Sequence, residues 1–108
     1  MSEATRSIPP LLALVVDDEP EVRRFLRTGL EMRGFRVVEA QTAREAIELA
    51  VMRAPDLVVL DLGLPDADGA SVLAELRSWS KVPVIVLSVR SSEAEKVALL
   101  EAGADDYI

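Results

Sequence analysis

The run Asp56-Leu57-Val58-Val59-Leu60-Asp61 constrains this chain most: it ends on a lone carboxylate and breaks at once on Gly63 and Pro65. A short continuous apolar run bounded by turn formers reads as a strand buried on both faces, as in parallel sheets. A carboxylate closing such a strand costs free energy unless something compensates for it. Leu11 to Val16 is a second apolar run, and it ends on Asp17-Asp18-Glu19. The simplest common explanation is that both runs deliver carboxylates to one edge of one sheet.

The rest of the chain alternates strand and helix signals. Residues 1–10 form an N-terminal tail ending in Pro9-Pro10, and the first strand follows. Pro20 suits the first turn of a helix, with Val22, Phe25, Leu26 and Leu30 at helical spacing and Gly34 closing it. Phe35 to Ala40 is a second strand. Thr42 with Glu45 makes a capping box that opens a helix with Ala46, Ile47, Ala50 and Val51 on its apolar face, ending by Pro55. The third strand runs from Leu57 to Leu60, and a loop spans Gly63 to Gly69. A third helix follows, carrying Val72, Leu73 and Leu76, with Trp79 closing its apolar face. Val82 to Leu87 is a fourth strand, with Pro83 at its start and Ser88 at its end. Ser92 with Glu95 opens a fourth helix that Gly103 caps, and Asp105 to Ile108 starts a fifth strand. This order predicts a doubly wound parallel α/β sheet with helices on both faces. In such sheets ligands bind at the carboxyl ends of the strands, where Asp17, Asp18, Asp61 and Ser88 all fall.

Composition narrows the chemistry. The chain has 108 residues, enough for one domain, and contains neither cysteine nor histidine. That removes thiolate chemistry, imidazole bases and most zinc sites, and it fits a reducing, cytoplasmic setting. A net charge of −7 makes a poor nucleic-acid binder. No apolar stretch approaches the roughly 18 residues of a membrane span.

Three carboxylates within ~5 Å would repel by about 3 kcal/mol per pair at an effective dielectric near 20. Oxygen-only ligands point to Mg²⁺, or Mn²⁺, as the counter-charge. Asp61 stands apart from the pair and could act as a carboxylate nucleophile forming an acyl phosphate. Ser88 could hydrogen-bond a phosphate oxygen, though it also reads as an ordinary polar strand end. Gly63 could offer its backbone carbonyl to the metal or simply allow a tight turn.

Asp17-Asp18, Asp61 with Leu64-Pro65 and Asp68-Gly69, Pro83-Val84-Ile85 to Ser88, and Ala102-Gly103-Ala104-Asp105-Asp106-Tyr107 recur in order. Together they resemble the receiver domain of bacterial two-component response regulators over residues 11–108. Arg23 to Thr28, Asp61 to Asp66 and Leu76 to Ser88 look like the KdpE type within the OmpR class, regulators of potassium-uptake genes. The resemblance implies a flavodoxin-like (CheY-like) fold with strand order 2-1-3-4-5. It makes Asp61 the phosphoacceptor, and Asp17, Asp18, Asp61 and the Gly63 carbonyl the Mg²⁺ ligands. Ser88 and Tyr107 become a switch pair. It also implies a sensor histidine kinase as phosphoryl donor. Activated receivers of this class dimerise through the fourth helix, fifth strand and fifth helix, where Lys96 and Asp106 match charged positions.

The same resemblance calls for a lysine three positions after Tyr107, a fifth helix and a C-terminal winged-helix DNA-binding domain, none of which this sequence contains. It therefore reads as a receiver cut short, with an incomplete fifth strand and helix, and with lowered stability or an altered oligomer expected. Two other readings compete. A haloacid-dehalogenase-type phosphohydrolase would want an Asp where Gly63 stands, two residues after the nucleophile. A receiver-like interaction module would not be phosphorylated at all.

Overall fold

The computed structural model describes residues 10–87, 101 and 103–107. Five parallel strands form one sheet: β1 (Leu12–Val16), β2 (Arg36–Ala40), β3 (Leu57–Asp61), β4 (Val84–Leu87) and β5 (Asp106–Tyr107). Their spatial order is β2-β1-β3-β4-β5. Three helices are described: α1 (Pro20–Met32), α2 (Ala43–Arg53) and α3 (Gly69–Arg77). This is the doubly wound arrangement and strand order expected from the sequence. The expected fourth helix lies outside the described residues, except that Glu101 is helical and Gly103 takes φ 116°. A positive φ at glycine is the conformation that ends helices without a Cβ penalty.

The continuous apolar runs are explained by burial on both sheet faces. All five residues of β1 are buried. One face presents Leu14, Val16, Val58, Leu60, Val84 and Val86 to a core completed by Ala46 and Ala50 of α2 and by Val72, Leu73 and Leu76 of α3. Side chains alternate along a strand, so Ala13, Val15 and Val59 occupy the other face, and they too are buried.

Helix ends follow local chemistry. The Thr42 hydroxyl accepts the Glu45 N–H at 3.1 Å, and the Glu45 carboxylate accepts the Gln41 N–H at 2.7 Å. The reach back is thus one residue before the cap. Ala54 closes α2 in the left-handed conformation, with φ 46°, and Pro55 prevents continuation. Gly34, at φ 91°, ends the turn after α1, where the Phe35 N–H returns to the Leu30 carbonyl at 3.1 Å.

Four expectations need correction. Phe25 is not on a buried face of α1: it is 77% exposed, and no residue of α1 is buried. The half-buried stripe is Val22, Arg23, Leu26, Arg27 and Leu30, and its two arginines reach across to Glu39 of β2, with Phe25 on the flank. Val51 is likewise exposed; the small Ala43, Ala46 and Ala50 make the inner face of α2 instead. Trp79 lies beyond the end of α3 and is half exposed rather than closing its apolar face. The fourth strand starts at Val84, not Val82. Pro83 has no N–H to give, but its carbonyl accepts the Val58 N–H at 2.9 Å.

Candidate metal centre

Pairing register brings the acids together. β1 and β3 are neighbours, and their last pair is Val16 with Leu60. Asp17 and Asp61 are the next residues on each chain, so they emerge level at the same sheet edge. Carboxylate oxygens of Asp17, Asp18 and Asp61 lie within 4.8 Å of one another. Asp17 is buried at 4% exposure, Asp61 is half-buried and Asp18 is exposed.

Asp17 is fixed on three sides. Its N–H donates to the Ala40 carbonyl at 3.0 Å, and its carboxylate accepts the Glu19 N–H at 2.8 Å. Its carbonyl accepts from the Arg23 guanidinium at 2.7 Å. Arg23 also donates to Glu39 at 2.9 Å. Arg27 and Arg23 together hold the Glu39 carboxyl below its ordinary range, Arg27 most strongly.

The cluster itself is under electrostatic load. Burial and then the neighbouring Asp17 charge push the Asp61 carboxyl up, partly offset by backbone N–H groups of Gly63 and Leu62. Burial pushes Asp17 up as well, with Asp18 adding to it, against the Glu19 N–H and Arg23. Among the described residues, no lysine or arginine pairs with these three carboxylates. A hard divalent cation fits: the donors are all oxygen, they are already gathered, and among the described residues their charge is only partly offset. The Gly63 carbonyl is a further candidate donor from the loop after β3. Gly63 is not among the positive-φ glycines, so its backbone freedom goes unused. A Cβ at that position would lie 3.7 Å from an Asp61 oxygen.

A carboxyl whose pKa rises on folding stabilises the folded state only below its ordinary range, and that contribution is lost as pH climbs through the raised value. Asp17 and Asp61 both behave this way. In a metal chelator, Asp61→Asn is therefore expected to stabilise the chain at about pH 7 by roughly 1–2 kcal/mol, the like-charge repulsion of about 3 kcal/mol per pair being screened by solvent at half-buried Asp61 and exposed Asp18. The gain should shrink near pH 4. Urea denaturation at both pH values checks this, and a variant less stable than the parent at neutral pH would contradict it.

Several sequence-derived site residues cannot be placed on this geometry. Ser88 and Lys96 lie outside the described residues; Leu87, paired with Asp61 across β3 and β4, directly precedes Ser88 in the chain. The backbones of Asp106 and Tyr107 pair with Ile85 and Val86 in β5.

Sequence reasoning missed the polar ties around the site. The loop carboxylate of Asp66 accepts the Ala43 and Arg44 N–H groups at 2.8 and 3.1 Å. Asp68 caps α3 through the Ser71 N–H at 2.8 Å. Gly69 is buried so tightly against Leu62 that a Cβ there would collide with that side chain and stand 3.2 Å from the Leu62 Cα.

A doubly wound sheet with an acid trio at the carboxyl ends of its central strands defines a class, and the comparisons agree with it. The model of the response regulator receiver domain matches residues 13–108, and the chain belongs to this family. It is 58% identical over 95 residues to the KDP operon transcriptional regulatory protein KdpE of Escherichia coli, covering 88% of this chain and 42% of that protein. It is 52% identical over 97 residues to KdpE of Mycobacterium tuberculosis, covering 90% and 43%. The chain thus spans less than half the length of these relatives. Among solved structures, the receiver domain of the Francisella response regulator 1452 superposes with a TM-score of 0.85 at 35% identity, covering 93% of this chain and 83% of that one. The BeF3-activated N-terminal receiver domain of Klebsiella pneumoniae RstA gives 0.85 at 33% identity, covering 90% and 83%. The chain is a regulatory receiver with KdpE-type relatives. No helix among the described residues is long and apolar enough to cross a membrane.

Proposed function

We propose that residues 11–108 form the phosphoacceptor switch of a two-component, DNA-binding response regulator, with Asp61 as the acceptor. The gathering of Asp17, Asp18 and Asp61 within 4.8 Å at the ends of adjacent strands carries this reading. An oxygen of Asp61 attacks phosphorus in a phosphohistidine of a sensor histidine kinase. The new O–P bond makes an acyl phosphate as the P–N bond breaks, and the imidazole nitrogen leaves with the electron pair. A bound Mg²⁺, held by Asp17, Asp18, Asp61 and the Gly63 carbonyl, would neutralise charge between the carboxylate and the phosphoryl oxygens. The fixed Asp17 loop keeps the acids in place, while Asp61, only half-buried, stays open to a donor.

The gain of ~1.5–2 negative charges draws the Ser88 hydroxyl and then the Tyr107 ring inward and biases a pre-existing equilibrium between inactive and active forms. The fourth-helix and fifth-strand face, with Lys96 and Asp106, then pairs with a second copy. In the parent protein a C-terminal winged-helix domain would bind DNA at potassium-uptake genes, in the cytoplasm. Similarity to the KDP operon transcriptional regulatory protein of Escherichia coli supports the transcriptional part.

Incubation with acetyl phosphate and Mg²⁺, followed by intact-mass measurement, tests the acceptor. One added phosphoryl group that Asp61→Asn abolishes is expected. An adduct that survives in Asp61→Asn would rule out Asp61, and no adduct on a receiver extended through its fifth helix would sink the switch reading.

A further inference from the structure

We infer that Asp66 is a positioning residue for the acid cluster, holding Asp17 and Asp61 at cation-binding spacing without touching them. The inference rests on reading the cluster as a cation site, and its evidence is a closed circuit of ties around that site. Asp61 ends β3, and the connection to α3 leaves directly from it. Leu64 anchors that connection in the core at 8% exposure, and two residues later the Asp66 carboxylate crosses to the start of α2. Its two oxygens accept separate N–H groups there, Ala43 at 2.8 Å and Arg44 at 3.1 Å. Three residues before Ala43 stands Ala40, whose carbonyl accepts the Asp17 N–H at 3.0 Å. Asp17 and Asp61 face each other across the cluster. The circuit therefore runs from Asp61 through Asp66 to α2, back along the chain to Ala40, and through one hydrogen bond to Asp17.

Asp66 is the only side chain in that circuit that spans two loops. Thr42 caps the same helix end, but its bond to Glu45 is local, three residues along one chain. The two caps satisfy different donors of the first turn of α2. Removing either should loosen the helix start, whereas only the loss of Asp66 releases the loop that follows Asp61. The second carboxylate oxygen of Asp66 also matters: with two N–H groups gripped at once, the loop cannot pivot about a single bond.

Mn²⁺ titration of the 108-residue chain, read by water-proton relaxation, tests this in the parent and in Asp66→Ala, Asp66→Asn, Thr42→Ala and Asp61→Asn. Asp66→Ala is expected to weaken Mn²⁺ binding about tenfold, the low end for losing a partner that orients metal ligands. Asp66→Asn should recover part of it, because the amide oxygen can still accept one N–H. Thr42→Ala should lower the urea midpoint and leave Mn²⁺ affinity at the parent value. Unchanged binding in Asp66→Ala, or equal weakening in Thr42→Ala, would overturn the inference. If Asp66→Ala does not fold, Asp66→Asn against Thr42→Ala makes the same comparison at smaller amplitude. No Mn²⁺ binding by the parent, or binding untouched by Asp61→Asn, would overturn the cation-site reading and this inference with it, a result distinct from failure at Asp66 alone.

Discussion

Leu60→Ala is expected to cost about 2–5 kcal/mol of stability, the range for emptying a leucine-sized volume in a packed core. Leu60 is fully buried on β3, paired with Val16 on one side and Val86 on the other, and belongs to the core under α2 and α3. Neighbours on both flanking strands leave little room for collapse, so the upper half of the range is expected. Against a typical total of about 5–15 kcal/mol, the variant should be marginal at 37 °C. The cavity would open one residue from Asp61, so cation affinity should fall with stability. Urea denaturation with and without Mg²⁺ measures both. A loss below about 1 kcal/mol would mean the core repacks far more freely than its burial implies.

Arg77→Ala should cost about 2–4 kcal/mol, because one guanidinium holds several separate pieces of backbone and its bonds are charge-assisted. Its Nε donates to the Gly103 carbonyl at 2.8 Å, a second nitrogen meets the Asp105 carboxylate at 2.8 Å, and a weaker contact reaches the Ser80 carbonyl at 3.4 Å. The same Asp105 oxygen accepts the Val84 N–H at 2.8 Å. Arg77 thereby joins the end of α3 to the entry of β5 and, through Asp105, to the start of β4. Gly103 makes room for it, since a Cβ there would stand 2.9 Å from the Arg77 Cγ. Arg77→Lys should restore only part of the loss, because one ammonium cannot match a planar fork on divergent acceptors. Equal stability of the Lys variant and the parent would show that charge alone matters. Hydrogen exchange at Val84 and Tyr107 should rise in Arg77→Ala before it rises in β1.

The fold was legible where local pattern and tertiary outcome coincide. Asp17 and Asp61 could be read as neighbours because buried parallel strands leave only one edge for their acids. Thr42 and Gly34 could be read because capping and left-handed closure involve residues a few positions apart. Phe25 and Val51 were misread because helical spacing locates a stripe without fixing which flank the rest of the molecule covers. On α1 the covered flank is the one that carries Arg23 and Arg27 to Glu39. Asp66 and Arg77 went unseen for a different reason. Their partners lie 23 and 26 residues away, and a long-range tie between a side chain and a backbone leaves no periodic trace. At the site, the acids were legible and the frame holding them was not.

Strand order also dictates when the acid trio can exist during folding. β1 must find β3 some 44 residues along the chain, as Ala13 finds Leu57, and closing a loop that long precedes any reward from the contact. A chain with only its local β1–α1–β2 crossover unit formed would carry Asp17 and Asp18 but not their partner. A cation held by the trio would therefore seal the assembled receiver without templating the route by which the receiver assembles.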